Sequence, residues 1–251
     1  MTVTSTRPRG IVGLAIVTLV IVGTLLSLGF WQLQRRTAKH ALIAALTERL
    51  AGAPGALPAA ATWSALTPAN DEFRRVAFTA TLKPVPDAMV YSSGSGVRTD
   101  VPGPVTWAFL PAQLPSGETV VINAGFVQNT MQDRAQQDRA VARLITGGPV
   151  AMTGYLRFPE AAGALTPNDD VKKRLWFTRD QRDMAKALGW GAVAPFYIDL
   201  ETPAPDSGIP KPGPLEVHLK DDHLQYAITW FGLAAAVLAA FGVWVKGQRQ
   251  K

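Results

Sequence analysis

The chain has 251 residues and a formal net charge of +6, enough for one ordinary domain once its two apolar ends are set aside. The absence of cysteine excludes disulfides, thiolate metal sites and copper carriage through Cys pairs. The basic excess does not point to nucleic acid, because it flanks the apolar runs: Arg7 and Arg9 precede the first, Arg35, Arg36 and Lys39 follow it, and Lys246, Arg249 and Lys251 follow the second.

Residues 1–10 form a short basic tail. From Ile11 to Leu33 no residue is charged, and this run makes roughly 34 Å of helix against a hydrocarbon core of about 30 Å. A transmembrane helix is predicted over residues 11–33. Ser27-Leu28-Gly29 resembles a signal cleavage site, but the apolar pattern is longer than a signal core and continues through Phe30-Trp31-Gln32-Leu33, so a signal anchor fits better. The helical pattern then goes on through Ala38, Leu42, Ala45, Leu46 and Arg49 and stops at the breaker cluster Gly52 to Pro58.

Strict alternation in Val76 to Leu82 marks a half-buried strand. Further strands are expected at Met89 to Tyr91, Val105 to Leu110, Thr119 to Ile122, Val150 to Leu156, Phe196 to Leu200 and Glu216 to Leu219. Two helices interrupt them, one near Gln132 to Leu144 and one from Arg179 to Leu188 with Thr178 as cap and Gly189 as stop. A proline-rich passage, Thr202 to Pro214, leads to the second apolar run, Leu224 to Val245, with Tyr226, Trp230 and Trp244 towards its ends.

The expected fold class is therefore α+β, with two terminal transmembrane helices flanking one strand-rich domain. That domain is residues 34–223, the second span 224–245 and the closing tail 246–251. Short, wholly basic tails place both termini in the cytoplasm and the domain outside. Gly23 and Ser27 in the first span, and Gly232, Ala236 and Ala240 in the second, offer small-residue faces for helix packing.

The domain shows no glycine-flanked serine elbow, and its histidines, His40, His218 and His223, lack zinc-site spacing. Asp169-Asp170 reads as a solvated loop, and a non-enzymatic role is expected. The informative constellation lies at the outer membrane surface, where antiparallel spans bring His223 to the depth of Trp31, Gln32, Arg35 and Arg36. With Asp222 as cap, His223 takes the first helical position and Gln225 the third. Two readings fit: an imidazole ligand for haem iron with arginines for the propionates, or arginines snorkelling to lipid phosphates beside an interfacial histidine.

The residues also resemble a family, the Surf1 or SHY1 proteins, assembly factors of haem-copper cytochrome c oxidase. Leu28-Gly29-Phe30-Trp31-Gln32-Leu33-Gln34-Arg35 with Lys39 is similar to the family's L-G-x-W-Q-x-x-R-x-x-x-K opening. Phe73-Arg74-Arg75-Val76 resembles its segment before the first strand, Gly154-Tyr155-Leu156-Arg157-Phe158-Pro159-Glu160 its G-x-x-R-x-P-E element, and Trp176 with Asp180, Met184 and Ala185 its following helix. Pro195-Phe196-Tyr197-Ile198-Asp199 resembles its P-x-Y-I-D strand, and His223 to Phe231 its closing motif. Two departures stand out: Asn123-Ala124-Gly125-Phe126 replaces N-R-G-W, and Asp221-Asp222 replaces an amide-rich pair.

The resemblance implies a non-enzymatic factor that assists haem a insertion or retention in cytochrome c oxidase subunit I, with haem a synthase as a possible second partner. It implies haem contact at His223, with Arg35, Arg36, Gln32, Trp31, Tyr226 and Trp230 around it. The alternative is a membrane scaffold that stabilises an oxidase intermediate without touching a cofactor. The expected location is a bacterial plasma membrane, with the mitochondrial inner membrane as the alternative.

Overall fold

The structure, a computed structural model, describes residues 8–101, 103–128, 134–216 and 221–249. The chain divides into two compact units, one of residues 1–44 with 220–251 and one of residues 45–219.

The first unit is built from α5 (His223–Arg249) and the greater part of α1 (Pro8–Ala51). As expected, α1 runs without a break past the apolar segment and stops before Gly52. Its buried and half-buried positions include Ala15, Thr18, Val22, Leu25, Gly29, Gln32 and Arg36; those of α5 include His223, Ala227, Trp230, Ala234, Val237 and Phe241. Alternating steps of three and four residues make a heptad seam, the pattern that keeps one stripe of each helix facing its neighbour. At Gly29 the backbone meets the Phe231 ring, where an added Cβ would lie 2.5 Å from Cε1. Phe30 meets the same ring edge-on at 5.4 Å.

The seam corrects two expectations. Gly23, Ser27, Gly232, Ala236 and Ala240 are exposed, and the small residues that pack are Gly29, Ala227 and Ala234. In the last turns of α1 the inward side is carried by Leu46 and Leu50, whereas Ala38 and Ala45 are exposed.

The second unit is a strand-rich barrel. Its elements are β1 (Gly55–Ala56), α2 (Pro68–Asp71), β2 (Arg75–Leu82), β3 (Ala88–Ser92), β4 (Val105–Gln113), β5 (Thr119–Gln128), α3 (Arg134–Ala142), β6 (Val150–Arg157), β7 (Leu175–Trp176), α4 (Gln181–Leu188) and β8 (Tyr197–Thr202). The sheet order is β1-β2-β6-β8-β5-β4-β3-β7, and β2 also pairs with β4 through Thr81 opposite Gln113 and Leu82 opposite Ala112. That pairing closes β2-β6-β8-β5-β4 into a ring, so each of these five strands is paired on both sides, while β1 and β7 end the sheet.

Alternation sorts the side chains. Val76, Ala80, Leu110, Ile122, Met152, Leu156 and Ile198 pack together inside the ring. On the opposite face of β4 and β5, Trp107, Phe109 and Val121 pack with Met184 and Ala185 of α4 and with Trp176 and Trp190. Both faces of these strands are thus covered, which explains their near-continuous burial.

Several boundaries differ from the sequence reading. β4 and β5 extend to Gln113 and Gln128, and β7 has no counterpart among the expected strands. The cap of α4 is Asp180, not Thr178: its Oδ1 accepts from the N–H of Arg182 at 2.9 Å and of Asp183 at 3.4 Å. Residues 217–219 of the strand expected at Glu216 to Leu219, His218, and the first residues of the helix expected from Gln132 lie outside the described residues, as do Arg7 and Lys251.

Candidate functional site

The seam of the first unit sets the geometry at the start of α5. Gln32 and His223 occupy seam positions on antiparallel helices, and Gln32 Oε1 lies 2.8 Å from His223 Nδ1. Among the described residues Nε2 has no hydrogen-bond partner, so the ring presents one engaged and one open nitrogen. The backbone N–H of Tyr226 donates to the carbonyl of Asp222 at 3.1 Å, which makes Asp222 the cap as expected. The carboxylate that receives the His223 N–H, at 3.0 Å, is instead that of Asp221.

Asp221 gathers more than the helix start. His40 Nε2 lies 2.6 Å from its Oδ2, and Arg36 Nε lies 4.0 Å from the same oxygen. Desolvation alone would raise this carboxyl, but the His223 N–H and the His40 ring hold it below the usual carboxylate range. Arg35 is exposed, its guanidinium 5.7 Å from the Trp31 ring centroid one turn back. Trp31 and Tyr226 are exposed, and Trp230 is half-buried in the seam.

The structure therefore brings Gln32, His223 and Arg36 together, and leaves Arg35, Trp31 and Tyr226 on the helix surface. Sequence reasoning missed His40 and the role of Asp221. The available signal was the i, i+4 spacing of Arg36 and His40, which puts both on one face of α1.

A second polar constellation stands on the outward face of the barrel. Register sets Arg157 opposite Tyr197 and Tyr155 opposite Asp199 between β6 and β8, and Asn123 beside Asp199 between β5 and β8. Arg157 donates from Nε to Glu72 at 2.6 Å and from Nη1 to Asp199 at 2.7 Å, while Asn123 donates to Asp199 at 2.6 Å. The Arg157 guanidinium also lies 4.4 Å over the ring of Phe73, a residue at φ 64, where a bulky side chain is rare. Burial alone would lower this guanidinium, and Tyr197, Asp199 and Glu72 more than reverse it.

Alongside, Arg75 donates twice to Glu201, each time at 2.8 Å. Tyr155 donates to Glu201 at 3.2 Å, and burial together with that carboxylate pushes the phenol up to about 12. Arg179 bonds Glu160 at 3.0 Å and lies 5.1 Å over Trp107.

The glycines of these segments have steric reasons. A Cβ on Gly154 would come 2.5 Å from the Asp199 carbonyl oxygen, so its absence lets β6 and β8 approach. Gly125, at φ 110, meets the backbone of Lys211 and Pro212, which crosses it directly. Phe126 beside it is covered by Arg98 at 5.4 Å and Lys211 at 5.8 Å. Ala124, at the position of the basic residue expected from the resemblance, belongs to the barrel interior.

Comparison with known proteins matches residues 19–235 to a family described as the SURF1 family. The chain is 32% identical over 232 residues to Surfeit locus protein 1 of Rattus norvegicus, covering 87% of this chain and 71% of that one. It is 29% identical over 231 residues to Surfeit locus protein 1 of Homo sapiens, covering 88% and 73%. To a SURF1-like protein of Rickettsia bellii it is 25% identical over 224 residues, covering 88% and 86%.

Proposed function

The chain belongs to the SURF1 family, which implies a role in cytochrome c oxidase assembly, and we propose that it acts there by holding haem a for subunit I. The family is one of assembly factors and is not a known enzyme family. In this reading haem is cargo. The observation that carries the reading is the contact between Gln32 and His223. An axial histidine binds iron through one ring nitrogen while the other donates to an acceptor that fixes its tautomer and orientation. Gln32 Oε1 is such an acceptor on Nδ1, and Nε2 is the open nitrogen.

The remaining candidates divide by what they touch. Arg35, exposed beside Trp31, is the better partner for a propionate, since Arg36 faces Asp221. Trp31, Tyr226 and Trp230 supply aromatic surface for a macrocycle.

We further propose that residues 11–33 and 224–245 span the membrane, with tails 1–10 and 246–251 cytoplasmic and the domain 34–223 outside. Both helices have the length and apolarity for crossing, and Val12, Leu19, Val20, Ile228 and Val243 are exposed on them, as lipid-facing side chains would be. A bacterial plasma membrane is the proposed location. The mitochondrial inner membrane suits the same topology, since the matching relatives include both bacterial and animal proteins. Subunit I receives the haem, haem a synthase is its source, and the bilayer holds both spans.

Two measurements test this. Protease added to intact spheroplasts should cut within residues 50–215; removal of the tails alone would reverse the orientation. A strain lacking the protein should yield oxidase deficient in haem a with low activity, whereas normal haem a content with unstable subunit I would favour the scaffold.

A further inference from the structure

Side chains tie the start of α5 to α1 at two places within the first unit. Gln32 Oε1 lies 2.8 Å from His223 Nδ1, and His40 Nε2 lies 2.6 Å from Asp221 Oδ2. Gln32 and His40 stand on one helix, and at 1.5 Å per residue the two ties are about 12 Å apart along its axis. Arg36, midway between them, faces the same Asp221 oxygen from 4.0 Å, too far for a hydrogen bond.

The acceptors settle where the protons sit. A carboxylate only accepts, so the proton between His40 and Asp221 is on His40 Nε2. The amide oxygen of Gln32 likewise only accepts, so a neutral His223 carries its proton on Nδ1 and keeps a lone pair on Nε2. Asp221 is engaged at both oxygens: Oδ1 takes the His223 backbone N–H at 3.0 Å, and Oδ2 takes His40. One carboxylate, its side chain only 14% exposed, thus joins the main chain of His223 to the opposite helix.

Held by Gln32 alone, the first turn of α5 could pivot about that single contact, and the direction of Nε2 would turn with it. The second tie removes this freedom, because ring and main chain of the same residue are then each fixed to α1. We propose that Asp221 and His40 form a positioning pair that sets the orientation of the His223 ring and of its open nitrogen. Its consequence for haem rests on the reading above; the positioning itself does not. The pair also gives a reason for a carboxylate where the resemblance leads one to expect an amide: a carboxylate offers two accepting atoms for two donors, and an amide offers one.

The test uses the full chain in lipid nanodiscs, free of haem, with its histidine ring nitrogens isotope-labelled for NMR. The His223 signals, identified by their loss in His223→Ala, should show a protonated Nδ1 and an unprotonated Nε2. His40→Ala and Asp221→Asn should each move these two shifts towards one another as the tautomers average. His40→Gln, whose amide N–H can reach the same oxygen, should restore the parent signals. On titration with ferric haem a, His40→Ala should keep the low-spin type, shift its largest electron paramagnetic resonance g value and weaken binding by about threefold to tenfold. That is less than the roughly 10- to 100-fold typical of a direct partner of a ligand, because His40 acts through Asp221.

His223 ring signals unchanged in both His40→Ala and Asp221→Asn would overturn the proposal and leave the haem reading standing. The expected ring signals in a protein that takes up no haem would support the pair and sink the haem reading. If Asp221→Asn loses helix by circular dichroism, His40→Ala decides, and parent-like ring signals in that variant count against the pair.

Discussion

Arg157→Leu is expected to destabilise the barrel by about 3–5 kcal/mol, the cost of removing one partner from a buried ion pair. The size follows from what is left behind. The Asp199 and Glu72 side chains are only 10% and 20% exposed, and both lose a charge-assisted bond. Asn123 still donates to Asp199, but a neutral amide does not offset a carboxylate charge. The ring of Phe73 also loses its covering cation at a backbone position already in the left-handed region. Because a domain has only about 5–15 kcal/mol in total, the variant should be close to unfolding at ambient temperature. Urea titration of the purified protein, followed by tryptophan emission from buried Trp107 and Trp176, measures the loss. Arg157→Lys should recover part of it, since the charge returns without the fork that reaches both acids. A loss below about 1 kcal/mol, the value of an exposed pair, would show that the network is solvated.

That network also shows how far the sequence could be read. Gly154, Arg157, Tyr197 and Asp199 were visible as motif residues, but their pairing depends on the register between β6 and β8, strands about 40 residues apart, and local pattern carries no register. β2 was legible because one face is apolar and the other carries threonine. The ends of β4 and β5 were not, because Pro111 and Gly125 read as breakers, whereas in the sheet Pro111 pairs with Val121 and Gly125 sits at φ 110 within β5. In the helices, length and apolarity were plain from composition, while the packing stripe was not. Alanine and glycine abound on every side of α5, and only the heptad phase, set by contact with α1, selects Ala227 and Ala234 over Ala236 and Ala240. The depth match of His223 with Gln32 followed from antiparallel spans alone. The engagement of Asp221 did not, because the residue before a cap reaches the helix N–H only when its own backbone turns that way.

His223→Ala is expected to abolish the low-spin haem spectrum of the purified, haem-loaded protein, and Gln32→Leu to keep that spectrum while weakening haem binding by about 10- to 100-fold. The difference follows from position. His223 offers the nitrogen that would meet iron, whereas Gln32 touches only the other nitrogen, 2.8 Å away, and acts by fixing the ring. Losing such an outer partner in a metal site typically costs 10- to 100-fold in affinity and leaves the ligand type unchanged. Leucine matches the seam, so Gln32→Leu should not loosen the helix pair, and circular dichroism of both variants should match that of the parent. Arg35→Gln gives a third pattern: an unchanged spectrum and a loss of about tenfold, the factor that 1.4 kcal/mol represents, as one charge-assisted bond to a propionate disappears. Absorption and magnetic circular dichroism during haem titration separate the three. An unchanged spectrum in His223→Ala would make the histidine a structural partner of Gln32 at the helix start. The same result, with oxidase assembly intact in the cell, would transfer the assignment to a scaffold that works through protein contacts alone.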